Sequence, residues 1–240
     1  MMQKIRHKIK ILKKARKVFE NGIDYPLIYL GLKRAKHVIF YSKTGKQLKI
    51  RTKSTDLMAL TNVWLNEEYD QSKIKIKEND TIIDIGSHIG LFAIYASQFN
   101  SRGRIFCFEP EPNNYKLLIE NLQLNSLKNV YPNNTGILSN LKKNILYINQ
   151  DQAGHSFFEK TSKSLEIKTK NLESVFLENK INECNILKLD CEGAEYEIIN
   201  SLKDEVLQKI NRIILEYHHK NERIELFDAL MTKLKSNNFQ

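Results

Sequence analysis

One stretch restricts the fold of this chain more than any other: residues 81–90, which read TIIDIGSHIG. Apolar and β-branched residues lead into Asp84, glycines follow at Gly86 and Gly90, and a further apolar run begins at Leu91. A buried strand, a tight glycine turn and a helix N-terminus in this order are typical of a nucleotide-type pocket. Gly86 permits a turn that a Cβ would obstruct, and it lets a ligand lie against the backbone.

The spacing of the glycines favours one kind of cofactor over another. The motif is D-x-G-x-x-x-G, and His88 stands where a dinucleotide fingerprint has the glycine that admits a pyrophosphate. A cofactor without phosphate fits this spacing better, and S-adenosylmethionine is the obvious candidate. Such a cofactor needs an acidic residue after the next strand to bind its ribose hydroxyls, and Glu109 follows the predicted strand 104–108. The pattern therefore predicts a nucleoside-cofactor site.

Length and composition are those of an ordered globular protein. The 240 residues suffice for one sizeable domain with an additional arm. No run approaches the roughly 18 apolar residues that a membrane span needs, and no secretory signal peptide is recognisable. The cysteines Cys107, Cys184 and Cys191 lack the spacing of a zinc site, so we expect reduced packing residues. These features predict a cytoplasmic protein.

The net charge of +10 is concentrated at the start of the chain. The first 17 residues contain eight lysines and arginines and no acid, and the remainder holds 30 basic against 28 acidic residues. A helix over residues 1–20 could lie peripherally on an anionic membrane surface, bind RNA, or pack on the domain with its lysines in water. Of the two binding functions we favour the membrane, because the nearly neutral domain makes nucleic acid an unlikely partner. The apolar stripe of this helix is predicted to comprise Ile5, Ile9, Leu12 and Phe19.

The pattern divides the chain into the basic amphipathic arm (1–20), a leader (21–78) and a cofactor-binding domain (79–240). In the leader, two short β-rich segments flank Gly45 and predict a hairpin, and Thr55 or Asp56 would begin a helix. Arg51, Asp56 and Tyr69 are polar groups that lead toward the glycine motif. The leader therefore either lids the pocket or covers an edge of the sheet.

Strand and helix patterns alternate through the rest of the chain, which predicts an α/β fold with a mainly parallel sheet flanked by helices. The predicted core strands are 81–85, 104–108, 129–131, 186–189 and 212–216. Segments 145–148 and 165–169 predict an inserted hairpin whose connection contains His155. Ligands bind at the carboxyl edge of such sheets, and Asn134 follows the third strand, where adenine contacts often occur.

A second group of polar residues follows the fourth core strand. Asp190 ends that strand, and Glu192 and Glu195 begin the next helix. The helix dipole favours acids in a first turn, so capping explains part of the pattern. Grouped carboxylates also raise one another's pKa, and one of them can then serve as a general base or help to hold a divalent cation. His218 and His219, after the fifth strand, could accept a hydroxyl proton near neutral pH.

The motifs DIGSHIG, FEPEPNNY, LKLDCEGAEYEII and LEYH, in this order, resemble those of the FkbM-type methyltransferases over residues 50–235. The resemblance implies a class I, Rossmann-like fold and an S-adenosylmethionine-dependent enzyme, mostly an O-methyltransferase of sugar or polyketide hydroxyls. It implies that Asp84, Gly86 and Gly90 surround the amino acid part of the cofactor, that Glu109 binds its ribose, and that the acids near Asp190 lie at the acceptor.

The predicted site has three groups of residues. The cofactor-binding residues are Asp84, Gly86, Ser87, His88, Gly90, Glu109, Asn134 and Asp190. The catalytic residues are Asp190, Glu192 and His218, and the substrate contacts are Glu192, Glu195 and His155. The sequence predicts no dedicated metal site, although a divalent cation is compatible with the acids.

The end of the chain departs from the pattern of the family. Class I methyltransferases have an antiparallel strand pair after the last helix, and this pair is missing before Gln240. We expect the open sheet edge to be available to another subunit in an oligomer. The leading hypothesis is O-methylation of a hydroxyl on a sugar, a glycan or a lipid-linked saccharide. The alternative is a catalytically impaired or partner-dependent module that binds the cofactor.

Overall fold

The computed structural model describes residues 2–66, 68–69, 71–139, 143–148, 161–218 and 223–239. The helices in these ranges are α1 (Met2–Val18), α2 (Asp24–Tyr29), α3 (Asp56–Leu60), α4 (Gln71–Ile74), α5 (Leu91–Ala96), α6 (Pro112–Leu124), α7 (Leu172–Glu178), α8 (Glu195–Ser201), α9 (Asp204–Leu207) and α10 (Ile224–Ser236). The strands are β1 (His37–Tyr41), β2 (Gln47–Arg51), β3 (Thr81–Ile85), β4 (Arg104–Phe108), β5 (Val130–Asn133), β6 (Gly136–Ile137), β7 (Lys143–Tyr147), β8 (Ser164–Lys170), β9 (Ile186–Leu189) and β10 (Ile213–Leu215). A π-helical turn, Thr61–Leu65, continues α3 directly.

Five parallel strands form the central sheet in the order β10-β9-β3-β4-β5. Numbered along the chain within this sheet, the order is 5-4-1-2-3, which is the doubly wound arrangement of Rossmann-like folds. The strand order reverses at β3, and ligands bind outside the carboxyl ends of the strands at such a reversal. The predicted α/β fold with a mainly parallel sheet is confirmed, and β3, β4 and β9 have the predicted bounds.

Side chains of the central strands alternate between two apolar cores. Ile82 and Cys107 belong to the core that includes α5 and α6, whereas Ile83 and Phe106 belong to the core that includes α7 to α10. A strand directs successive side chains to opposite faces, so a strand that is covered on both faces is apolar throughout. This explains why the mainly apolar segments predicted the positions of β3, β4 and β9 correctly.

The hairpin of the leader packs on α6. β1 and β2 are antiparallel, and Gly45 adopts a φ of +82° in the turn between them. Asn121 of α6 binds the edge of β2, because its Oδ1 accepts from Lys49 N at 2.7 Å and its Nδ2 donates to Lys49 O at 3.0 Å. The helix therefore satisfies backbone groups that an exposed strand edge would leave open.

Helix α1 packs on the body of the protein through a face that matches the predicted apolar stripe in part, since Leu12 and Phe19 pack in the core as predicted. Ile11, Ala15 and Phe19 are at most 6% exposed, and the rings of Phe19 and Trp64 are 6.1 Å apart. Ile9, which the sequence placed on the apolar stripe, is 47% exposed. The prediction was wrong at this position because the helix contains two overlapping apolar stripes, and the location of Trp64 selects one of them. None of the helices in the described ranges has the length and apolarity to span a bilayer.

A small second sheet has the order β6-β8-β7. β7 and β8 are antiparallel, as predicted, and their connection with His155 lies outside the described residues. The sequence did not predict α2, α4, α7 and α9, which have four to seven residues each. Between α10 and residue 239 the structure describes no further strand, and β10 is an edge of the central sheet.

Candidate functional site

A cavity opens at the carboxyl ends of β3, β4, β9 and β10. The loops after these strands contribute Gly86, Ser87, His88, Glu109, Asp190, Cys191, Glu192, Glu216 and His218. The leader contributes Met58, Ala59, Asn62, Val63, Glu68 and Tyr69. The structure therefore brings the glycine motif and the second polar group together in one cavity, and the leader forms part of its wall.

The turn after β3 is shaped by Gly86. Its φ of +78° lies in the left-handed region, and a Cβ at this position would be 1.7 Å from the carbonyl oxygen of Asp190. The Ser87 hydroxyl fixes the same turn, since it donates to Asp84 O at 2.7 Å and accepts from Phe108 N at 3.0 Å. The loops after β3, β4 and β9 therefore meet at a point where only glycine fits.

Glu109 lies at the end of β4, lines the cavity and is 6% exposed. Its carboxylate accepts hydrogen bonds from His88 N at 2.8 Å and from Glu111 N at 2.9 Å. Burial raises the pKa of Glu109 to about 7, although these hydrogen bonds act in the opposite direction. A carboxylate that is held in this way can accept hydrogen bonds from both hydroxyls of a ribose.

Arg51, at the end of β2, connects the leader to this carboxylate. Its Nε and Nη2 donate to Asp56 Oδ2 and Oδ1 at 2.8 and 2.7 Å, and Nη2 also donates to Asn114 Oδ1 at 2.8 Å. Asn114 Nδ2 lies 3.5 Å from Glu109 Oε1, and His88 Nε2 lies 3.4 Å from Asp56 Oδ1. The sequence had indicated Arg51 and Asp56 only as nearby polar groups. The structure shows that the guanidinium fixes Asn114 beside Glu109.

Lys188 also lines the cavity, and the sequence alone had not indicated a function for it. It lies in the otherwise apolar β9 and is 4% exposed, with Nζ 3.1 Å from Asp84 Oδ1 and 3.5 Å from Asp190 Oδ2. Burial lowers the pKa of Lys188, but the charges of the neighbouring carboxylates outweigh burial and raise it well above its ordinary value. A lysine within a buried strand was the signal that could have identified it.

His218, after β10, lies among four carboxylates. Its Nδ1 is 3.0 Å from Glu195 Oε1, and its Nε2 is 3.7 Å from Glu192 Oε1, 3.8 Å from Glu216 Oε1 and 3.9 Å from Asp190 Oδ1. The pKa of His218 rises to about 9, because the hydrogen bond to Glu195 and the neighbouring negative charges outweigh the lowering effect of burial. The predicted role of His218 as a proton acceptor near neutral pH is therefore corrected, since the ring is already protonated there.

Glu192 has the protonation behaviour that a general base needs. Burial is the main cause that raises its pKa to about 7, and the positive charge of His218 partly opposes this rise. Glu192 lines the cavity and adopts a φ of +53° in the loop after β9. A base with a pKa near the working pH combines a useful deprotonated fraction with sufficient basicity.

Glu195 stabilises the loop after β9 and does not line the cavity. It is 0% exposed, and its carboxylate accepts from Cys191 N at 2.9 Å and from Gly193 N at 2.8 Å. The predicted contact between Glu195 and a substrate is corrected for this reason. The buried carboxylate binds two backbone N–H groups and orients the ring of His218 instead.

Asp84, Gly90 and Asn134, which the sequence predicted to bind the cofactor, are not among the residues that line the cavity. Asp84 is 0% exposed under the glycine turn, Gly90 packs against Leu118, and Asn134 donates to the carbonyl oxygens of Glu109 and Pro110 at 2.9 and 3.0 Å. They support the loops that surround the cavity. His155 and His219 lie outside the described residues.

Asp190, Glu216 and His218 could hold a divalent cation, because their ligand atoms lie within 4.8 Å of one another. Two carboxylates and an imidazole are suitable ligands. With its pKa near 9, however, the imidazole already supplies a positive charge among the carboxylates at neutral pH, and a cation would have to displace that proton.

The model of the methyltransferase FkbM domain matches residues 84–240. The chain belongs to this family. The family that the sequence motifs indicated is thereby confirmed.

The chain is also similar to individual proteins. Over 142 residues the chain is 28% identical to the hexuronic acid methyltransferase AglP of Haloferax volcanii, covering 59% of this chain and 57% of that protein. It is 22% identical over 177 residues to Methyltransferase 1 of Beauveria bassiana, covering 64% and 70%. The chain thus spans little more than half the length of the first relative. A solved precorrin-6y C5,15-methyltransferase from Geobacter metallireducens is 14% identical, with a TM-score of 0.41 over 78% of this chain and 73% of that one.

The cavity fits S-adenosylmethionine in two respects. The backbone at Gly86 has no side chain to obstruct a close approach, and Glu109 presents a buried, hydrogen-bonded carboxylate to the cavity. The assignment of individual residues to the cofactor stays a prediction.

Proposed function

We propose that this protein methylates a hydroxyl group of a sugar, within a glycan or a lipid-linked saccharide. The proposal rests on the position of Glu192. This residue has a pKa of about 7 and lines the same cavity as Glu109, the carboxylate that we expect to bind the ribose of the cofactor. Several carboxylates around one cavity are also suited to accept hydrogen bonds from sugar hydroxyls. The similarity to a relative described as a hexuronic acid methyltransferase supports the same class of acceptor.

In this proposal the residues on the two sides of the cavity have separate tasks. S-adenosylmethionine, when bound, supplies an electrophilic methyl group on a sulfonium. Gly86 and Glu109 bind and orient the cofactor, and Tyr69 of the leader, which is 6% exposed, closes part of the wall of the same cavity against water. Glu192 would accept at its carboxylate the proton that the acceptor hydroxyl loses on taking the methyl group, and the cofactor would leave as a neutral thioether.

Asp190 lies beside the proposed base. Its Oδ2 is 3.5 Å from Lys188 Nζ and its Oδ1 is 3.9 Å from His218 Nε2, and it lines the same cavity as Glu192. The carboxylate oxygens of Asp190 can accept a hydrogen bond from the sugar while Glu192 exchanges a proton.

The test is transfer of a radiolabelled methyl group from S-adenosylmethionine to a panel of acceptors that includes hexuronic acids, neutral hexoses and lipid-linked saccharides. We expect an alkali-stable label, as in a sugar methyl ether, and loss of transfer in Asp190→Asn. An alkali-labile label would indicate a methyl ester on a carboxylate and would contradict hydroxyl methylation. Cofactor binding by calorimetry without transfer to any acceptor would support the alternative of a catalytically impaired or partner-dependent module.

A further inference from the structure

The start of the chain differs from the rest in both charge and apolar exposure. The first 36 residues contain eleven lysines and arginines and two acidic residues. The rest of the chain contains 27 lysines and arginines and 26 acidic residues. The same segment has large apolar side chains in water: Ile9 is 47% exposed, Ile23 51%, Tyr29 53%, and Leu30 and Leu32 are both 64% exposed. Positive charge and exposed apolar groups thus occur together.

The packing of α1 decides which of its residues face outward. Because Ile11, Ala15 and Phe19 are buried against the body, the exposed residues of the helix belong to the opposite side. That side carries Ile9 together with exposed basic residues, which are Lys10, Lys13, Arg16 and Lys17.

Helix α2 and the turn after it complete this region. Tyr25 and Ile28 anchor α2 in the core, and Tyr29, Leu30 and Leu32 remain outside around Gly31, whose φ is +69°. Helix α2 lies beside the turn of α1 that contains Lys8 and Ile9, since Lys8 Nζ lies 5.3 Å from the centre of the Tyr29 ring.

Few negative charges interrupt the region. Asp24 is one of the two acids, and its carboxylate is paired with Lys33 Nζ at 2.5 Å. Arg34 and Lys36, which follow in the same segment, are exposed. The lipid-docking surface, as we define it, comprises Ile9, Lys10, Lys13, Arg16, Lys17, Tyr29, Leu30 and Leu32.

We propose that the lipid-docking surface attaches this protein peripherally to an anionic lipid bilayer. Basic side chains are attracted to anionic headgroups, and exposed aliphatic and aromatic side chains can enter the boundary between headgroups and acyl chains. A single-stranded nucleic acid would instead be matched by a series of aromatic stacking platforms, whereas Tyr29 is the one aromatic side chain of the lipid-docking surface and Leu30 and Leu32 are aliphatic. Charge and exposed aliphatic groups together therefore favour a bilayer as the partner.

The surface is also connected to the cavity. Phe19, at the end of α1, packs on Trp64 of the π-helical turn, and that turn with α3 contributes Met58, Asn62 and Val63 to the cavity wall. A lipid-linked acceptor in the bilayer would then approach the cavity from the leader side, a consequence that rests on the proposed function. Membrane attachment itself does not depend on it.

The experiment measures co-sedimentation of the full chain with phosphatidylcholine vesicles, with and without about one-third phosphatidylglycerol, at low and high salt. We expect binding only to anionic vesicles, and weaker binding at high salt. In Lys10→Gln/Lys13→Gln/Lys17→Gln the affinity should fall on the order of a hundredfold, because each lysine near such a surface contributes roughly fivefold. In Leu30→Ser/Leu32→Ser it should fall roughly tenfold.

Matched controls test whether binding to vesicles depends on the lipid-docking surface or only on the overall charge and hydrophobicity of the protein. Lys128→Gln/Lys203→Gln/Lys209→Gln removes the same charge at exposed positions elsewhere, and Leu177→Ser removes a leucine that is 81% exposed on α7. Both should bind like the unmodified protein, and thermal melting should show that every variant is folded. Equal losses in the control variants, equal binding to neutral vesicles, or binding to RNA but not to vesicles would each overturn the proposal. No assay of methyl transfer is involved, so the result is independent of the acceptor.

Discussion

Around Glu109 two backbone N–H groups lie within 2.9 Å of the carboxylate, whereas around His218 three of the four carboxylates lie 3.7 to 3.9 Å from the ring. The first side of the cavity is held by backbone hydrogen bonds and by the rigid Gly86 turn. The second side is held mainly by opposing charges, which protonation can change. We infer that the first side is built for fixed binding of the cofactor and the second for movement of a proton.

The largest expected effect concerns the first side of the cavity, which is formed by the Gly86 turn and Glu109. Gly86→Ala places a Cβ where Asp190 O is 1.7 Å away, so the loops after β3 and β9 must separate. We expect S-adenosylmethionine affinity to fall at least about a hundredfold, measured by calorimetry, together with a lower melting temperature. Gly45→Ala is the matched control, because Gly45 has a similar φ of +82° but nothing within 4 Å of the added atom. Equal behaviour of the two variants would show that backbone conformation, rather than the close approach, explains the loss.

The next largest effect concerns the second side of the cavity, around Glu192 and His218. Glu192→Gln should lower kcat by about 10²–10⁴, with cofactor affinity nearly unchanged, because a general base is removed. In the unmodified protein kcat should rise as the pH increases through about 7, where Glu192 loses its proton, and the variant should lack this rise. Glu192→Asp should retain part of the activity, and Glu205→Gln at an exposed position of α9 is the control. An unchanged pH profile in Glu192→Gln would assign the base to another group.

A smaller effect tests whether the leader stabilises the first side of the cavity, around Glu109. Arg51→Lys keeps the charge but loses the forked hydrogen bonds to Asp56 and Asn114. We expect cofactor affinity to fall roughly tenfold while kcat at saturating cofactor changes little. Arg102→Lys, at a side chain that is 73% exposed, is the matched control. A loss of kcat without a loss of affinity would mean that Arg51 acts on the acceptor side.

The smallest effect concerns stability. The pKa of His218 is raised from 6.5 to about 9 in the folded protein, so the folded state binds this proton more tightly than the unfolded state. Its contribution is therefore complete below about pH 6.5 and is lost as the pH rises through about 9. Urea unfolding at about pH 7.5 and about pH 10 should show a decrease of about 1 kcal/mol that His218→Asn lacks, after allowance for the partial exposure of the ring. His37→Asn, at an exposed position, should retain the decrease; a pH-independent difference would indicate packing instead.

Local sequence determined the central sheet and the cofactor turn. β3, β4 and β9 are mainly apolar and are each followed by a glycine or an acidic residue, and a parallel strand with both faces buried needs a mainly apolar sequence whatever its neighbours are. Gly86 could be recognised in the same way, because the left-handed conformation is a property of one residue and its immediate neighbours. The family motifs and the expectation of S-adenosylmethionine followed from these segments.

Only the tertiary structure decided which polar groups face the cavity. Arg51 and Asn114 are 63 residues apart and His218 and Glu195 are 23 residues apart, so no local pattern predicts their hydrogen bonds. Burial makes Glu195 a support for His218 and gives Glu192 a pKa near 7, and burial depends on the assembled loops. For the same reason the outward face of α1 was decided by where Trp64 lies, since a helix with two apolar stripes buries the one that finds a partner.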